Sequence, residues 1–85
     1  MSDSVSVIIR TADQTRKAQV DIEGNKSAGD LIQASVENWK LPTDTEYTLV
    51  NVTQGKTVAP ASLVSTFANS NDILEVQPVL VAGGI

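Results

Sequence analysis

Few groups in this chain can do chemistry, and what is missing narrows the field as much as what is present. The 85 residues contain no cysteine and no histidine. Disulfides, thiolate metal sites and thiol nucleophiles are therefore excluded, and so is the commonest general base and metal ligand. The carboxylates give no sign of acid–base catalysis. Asp21 and Glu23 alternate with apolar residues along one short stretch, and a solvated strand edge accounts for them. The lone Trp39 falls on the apolar stripe of a helical segment, which makes it a packing residue before a binding platform. What stands out is Pro78-Val79-Leu80-Val81-Ala82-Gly83-Gly84-Ile85, an apolar run followed by two glycines. Lacking a Cβ, Gly83 and Gly84 let another molecule approach the backbone closely. The run has the character of a tail made to enter a narrow groove on another protein. Its plain alternative is a chain end that happens to be apolar.

The composition sets the frame around that tail. Eighty-five residues suffice for one small core and not for two. With 41% hydrophobic and 19% charged residues, the chain buries enough apolar surface to fold. A net charge of −4 argues against a nucleic-acid partner, which would require a basic face. No signal-peptide pattern precedes Val5, and no apolar run is long enough to span a membrane, so the cytoplasm is the expected location and no membrane partner is implied. The sequons at Asn25 and Asn51 are then accidents of sequence.

The elements that must position the tail follow from periodicity. Residues 5–11 are rich in β-branched side chains, with Val5, Val7 and Ile9 on one face and Ile8 on the other. Residues 16–23 alternate more cleanly, Ala18, Val20 and Ile22 against Lys17, Gln19, Asp21 and Glu23, so the pair predicts an antiparallel hairpin. Ser27 with Asp30 three positions on marks a helix start of capping-box type. Ala28, Leu31, Ile32, Ser35 and Trp39 form its apolar stripe, and Pro42 stops it at or just before Leu41. A third strand is expected over residues 46–53, a tight turn at Gln54-Gly55-Lys56, and a short fourth strand over 57–59. One or two helical turns follow within residues 61–68, then a last strand over 73–77 with Leu74 and Val76 inward. This order predicts an α+β domain, ββαββ, with a mixed sheet, one main helix on one face and a short helical turn before the last strand. The first and last strands should lie side by side and parallel, joined by a right-handed crossover. Pro78 has no N–H for a ladder, so residues 1–77 are expected to form the domain and residues 78–85 a flexible tail. Extended, that tail reaches roughly 20 Å.

With these features in order, the chain resembles ubiquitin and its relatives, the β-grasp modifiers, over residues 5–84. The resemblance rests on the N-terminal hairpin, the Ser27-capped helix, Gly55-Lys56 after the third strand, and Leu63 with Asn71-Asp72-Ile73-Leu74 leading to Gly83-Gly84. It is most similar to bacterial ubiquitin-like proteins that accompany E1-like and E2-like enzymes and a JAB-type metalloprotease. The resemblance implies a substrate, not an enzyme. An E1-like partner would adenylate the Gly84 carboxylate with ATP and Mg²⁺, and the activated glycine would pass through a cysteine thiol to a target amine. The chain itself would carry no cofactor. Ile85 would first be removed, which makes Gly84 and Ile85 the processing site. Val79, Leu80, Val81, Ala82 and Gly83 would be the stretch the partners recognise. Ubiquitin's tail carries arginines where this one is apolar, so its enzymes would need an apolar groove. By the same resemblance Val50 or Val52 would sit in a reader patch, and Lys56 would be an acceptor lysine in the turn; a core contact and a solvated turn lysine are the plain readings. Two other functions fit the same pattern. One is a sulfur carrier with a glycine thiocarboxylate, against which the trailing Ile85 speaks. The other is a non-covalent ubiquitin-like binding module.

Overall fold

The computed structural model describes residues 4–79. Five strands and two helices occur in the order β1 (Ser4–Thr11), β2 (Lys17–Glu23), α1 (Ala28–Trp39), β3 (Tyr47–Asn51), β4 (Lys56–Val58), α2 (Val64–Phe67) and β5 (Ile73–Pro78). They make one sheet in the order β2-β1-β5-β3-β4. The hairpin β1–β2 is antiparallel, β1 and β5 run parallel, and β3 is antiparallel to both β5 and β4. The last strand is therefore the middle one, and the parallel pairing expected from connectivity is present.

One face of the sheet carries the core. Val7, Ile9, Leu49, Leu74 and Val76 from the strands meet Ala28 and Leu31 of α1 and Val64 of α2, all buried. The strand alternation explains this directly, since each of these strand residues sits at an even spacing from the next on its own strand. Among the described residues the other face has no helix over it, and it holds Ser6, Ile8 and Arg10 of β1, Thr48 and Val50 of β3, and Ile73, Glu75 and Gln77 of β5. No helix among the described residues is long and apolar enough to cross a membrane.

The local signals act as the side-chain chemistry requires. Ser27 Oγ accepts from the Asp30 N–H at 3.1 Å, and Asp30 Oδ2 accepts from the Ser27 N–H at 3.1 Å, completing a capping box. At the other end Lys40 takes a left-handed conformation, φ 53°, and the N–H groups of Lys40 and Leu41 both reach the Val36 carbonyl. Helix α1 thus stops at Trp39, two residues short of the latest end that Pro42 would permit. Val36, absent from the expected stripe, is half-buried.

The bounds of β3, β4 and β5 also differ from expectation. β3 ends at Asn51 instead of running to residue 53, because the Asn51 Oδ1 accepts from the Gln54 N–H at 3.0 Å and turns the chain. Gly55 completes that turn at φ 69°, a conformation other residues adopt at a cost. Lys56 consequently lies in β4, paired with Asn51, and not in the turn. The last strand runs through Pro78, one residue beyond the expected stop. Its even-numbered residues bond toward β1, as the Ala12 N–H to Val76 carbonyl contact shows, and its odd-numbered ones toward β3. The missing N–H of Pro78 therefore ends the ladder with β1 at Thr11↔Val76 and leaves the ladder with β3 intact to Tyr47↔Pro78.

Candidate functional site

The root of the tail is built by the central strand. Past Pro78, the Val79 N–H donates to the Glu46 carbonyl at 2.8 Å, so the backbone leaves the sheet beside the start of β3. Val79 is 37% exposed at this exit. The remaining tail positions singled out from sequence, Leu80, Val81, Ala82, Gly83, Gly84 and Ile85, lie outside the described residues. Beside the exit is an open cleft of about 470 Å³ between the β1–β2 turn and the end of α1, lined by Trp39, Leu41, Tyr47, Val76 and Pro78 among others. Trp39 is half-buried there, as its place on the stripe required. The turn on the far wall is held by Asp13, whose carboxylate accepts from both the hydroxyl and N–H of Thr15 and from the Thr11 hydroxyl. The Thr11 hydroxyl above all, then the Thr15 N–H and hydroxyl, draws the Asp13 acid down to about 2.

The helix-free face of the sheet gathers residues from three strands. The register puts Ile8 of β1 against Ile73 of β5, and the Val52 N–H bonds the Ile73 carbonyl at 2.8 Å, so Ile8, Ile73 and Val52 make an apolar row. One step along, Val50 pairs with Glu75. Glu75 in turn accepts from Arg10 Nε at 2.8 Å and from Gln77 Nε2 at 2.8 Å. Val50 is half-buried, and Val52, past the end of β3, is 37% exposed. Of the two valines singled out for a reader surface, Val50 is carried by a strand and Val52 by the turn. Their companions Ile8 and Ile73 were recognisable only as outward positions, since their grouping depends on the parallel pairing of the first and last strands. Lys56 is exposed at the start of β4.

A buried polar cluster went unnoticed in the sequence. Asn51 is 1% exposed and Asp72 is 5% exposed. Asp72 Oδ2 accepts from Asn51 Nδ2 at 2.9 Å, from Gln54 Nε2 at 2.9 Å and from the Asn69 N–H at 3.0 Å. Asn51 also donates to the Phe67 carbonyl at 2.8 Å. These donors, Asn51 first, hold the Asp72 acid below its ordinary range against the opposing effect of burial. The cluster joins the β3–β4 turn, the end of α2 and the start of β5. Its members are a sequon asparagine and a turn aspartate by sequence, and only folding brings them together.

The fold is the ubiquitin-like β-grasp. The chain superposes on a de novo protein designed on the basis of ubiquitin with a TM-score of 0.74 and 18% identity, covering 96% of each chain. It matches the ubiquitin of Caldiarchaeum subterraneum with a TM-score of 0.74 and 18% identity, covering 95% of this chain and 100% of that one. No family model and no curated protein sequence matches the chain. At this identity the likeness defines the architecture, an α+β β-grasp with a mixed sheet, one main helix and a short helical turn before the last strand.

Proposed function

We propose that this chain is a ubiquitin-like protein modifier that is conjugated to target amines through the Gly84 carboxylate. The observation that carries the reading is the union of a β-grasp whose central strand leads out of the sheet at Val79 with a tail sequence that reaches Gly83-Gly84 within five residues. Anchored by β5 and by the Glu46 carbonyl, the domain serves as a handle, and the reacting group lies beyond it. A JAB-type metalloprotease hydrolyses the Gly84–Ile85 peptide bond. An E1-like enzyme joins the freed carboxylate to the AMP portion of ATP and releases pyrophosphate. A cysteine thiol then displaces AMP, and an E2-like enzyme transfers the glycyl group to an amine of a protein target with return of the thiol. Val79, Leu80, Val81, Ala82 and Gly83 form the recognition stretch and call for apolar grooves in those partners. Lys56, exposed in β4, is the acceptor for a further copy.

The helix-free face supports a reader contact within the same function. Val50 and Val52, with Ile8 and Ile73 beside them, offer apolar surface next to the largely buried Arg10–Glu75 pair, where a partner could dock. That surface also serves a non-covalent binding module, the second reading.

Incubating the full chain with candidate E1-like, E2-like and JAB-type proteins, ATP and Mg²⁺ tests the proposal by mass spectrometry. The expected result is loss of one isoleucine followed by adducts joined at Gly84. A chain that keeps Ile85 with functioning partners, or that functions unchanged without Gly84 and Ile85, overturns it.

A further inference from the structure

The second strand is an edge with an incomplete cover. In the order β2-β1-β5-β3-β4, β2 pairs among the described residues only with β1, and at seven residues it is the longer of the two edges left free by them, β4 having three. Half of its backbone N–H and C=O groups therefore face outward. Its inward residues Ala18, Val20 and Ile22 are each only half-buried, although their alternation is the cleanest in the chain. The reason lies across from them. Helix α1 presents Ala34 and Ser35 at this level, side chains too short to close on the strand. The space left is an apolar groove of about 420 Å³ bounded by Ala18, Val20 and Ile22 on one side, Leu31 and Ala34 on the other, and Trp39 at one end. An edge strand beside an apolar groove fits an extended peptide that adds to the sheet and lowers alternate side chains into the groove.

The chain contains a segment of that chemistry which the described fold does not use. Leu80, Val81 and Ala82 are uncharged, apolar and continuous with a strand. The point from which they start, at Val79, is remote from the groove of the same domain. Val79 is tied to Glu46 at the exit from β5, and the free edge of β2 lies beyond β1. Three strand spacings amount to about 14 Å, which uses up about four extended residues before the edge is met. We infer that the β2–α1 groove receives residues 80–82 of a second copy, so that the chain self-associates by mutual strand addition. This surface is opposite the one assigned to readers, and the inference stands whether or not the tail is conjugated.

Sedimentation velocity on the full chain, alone and from micromolar to millimolar concentration, tests it. A concentration-dependent dimer is expected, and a full-length L80D/V81D variant should associate about tenfold more weakly or not at all, since two acids would then approach the groove beside Asp21. A synthetic peptide spanning residues 78–84, titrated into the ¹⁵N-labelled variant, should shift amides of β2 and of α1 from Leu31 to Trp39. A monomer at every concentration, a dimer that the double substitution leaves intact, or shifts centred on Thr45 and Tyr47 beside the tail root would each overturn the inference. None of these readouts involves an activating or conjugating enzyme, so they are separate from the test at Gly84.

Discussion

Asn51 and Asp72 show how much of this small domain depends on two polar side chains. Removing the Asn51 amide leaves the Asp72 carboxylate buried with fewer donors and the Phe67 carbonyl with only the longer 3.4 Å contact from Gln54 Nε2. An unsatisfied buried group costs about 1–3 kcal/mol, so Asn51→Ala should lower the stability measured by urea unfolding by about that much. The pH dependence has a definite sign. Asp72 is held below its ordinary range in the folded chain, so its contribution is complete above the unfolded acid's value of about 3.9 and disappears as pH falls through the lower folded value. Asp30, drawn down chiefly by the Ser27 N–H, and Asp13, lowered to about 2, act in the same direction. The urea midpoint should therefore fall as the solution is acidified from about pH 4, and Asp72→Asn should make the fall shallower. At the candidate reactive residue the expectation is chemical. Deleting Gly84 and Ile85 should abolish adducts while leaving the fold of residues 4–79 unchanged by circular dichroism.

Among the elements, α1 carries both a well-made start and a costly end. Ser27→Ala removes the reciprocal cap and should destabilise the domain by about 1 kcal/mol. Lys40 pays the steric cost of a left-handed residue with a Cβ, so Lys40→Gly should raise the thermal midpoint, corresponding to roughly 1 kcal/mol in favour of folding. The start of α1 and the boundaries of β1 and β2 were legible because each has its own periodicity and punctuation, whereas the end of α1 was set by the left-handed Lys40 ahead of Pro42. The boundaries of β3 and β5 were less legible. β3 stops early because a side chain, the Asn51 carbonyl, competes for the Gln54 N–H. β5 continues late because a proline removes a donor from one of its two ladders only. Which ladder is interrupted depends on which neighbour lies on each side.

For the molecule as a whole, the one-sided sheet separates residues of similar type by energy. Leu74, fully buried in the central strand, should cost about 3 kcal/mol or more on replacement by alanine. Ile8, outward on the adjacent strand and only half-buried, should cost closer to about 1 kcal/mol. Equal losses in urea unfolding would contradict a sheet covered on one face. The alternation of Val5, Val7 and Ile9, that of Ala18, Val20 and Ile22, the Ser27–Asp30 cap and the crossover rule together determined the α+β order and the parallel pairing of the outer strands in sequence, because each is a short-range consequence of backbone geometry. The chemistry proposed at Gly84 rests on the resemblance that this element order carries together with Gly83-Gly84, and residue types alone left a plain apolar chain end as the alternative. Tertiary structure decided the rest: that Ile8 and Ile73 stand beside Val50 and Val52, that Asn51 finds Asp72, that Lys56 belongs to a strand, and that Ala34 and Ser35 leave a groove along β2. These depend on register and on which side chains meet across elements far apart in the chain, and no local pattern encodes a distance between residues that become neighbours only when the sheet closes around β5.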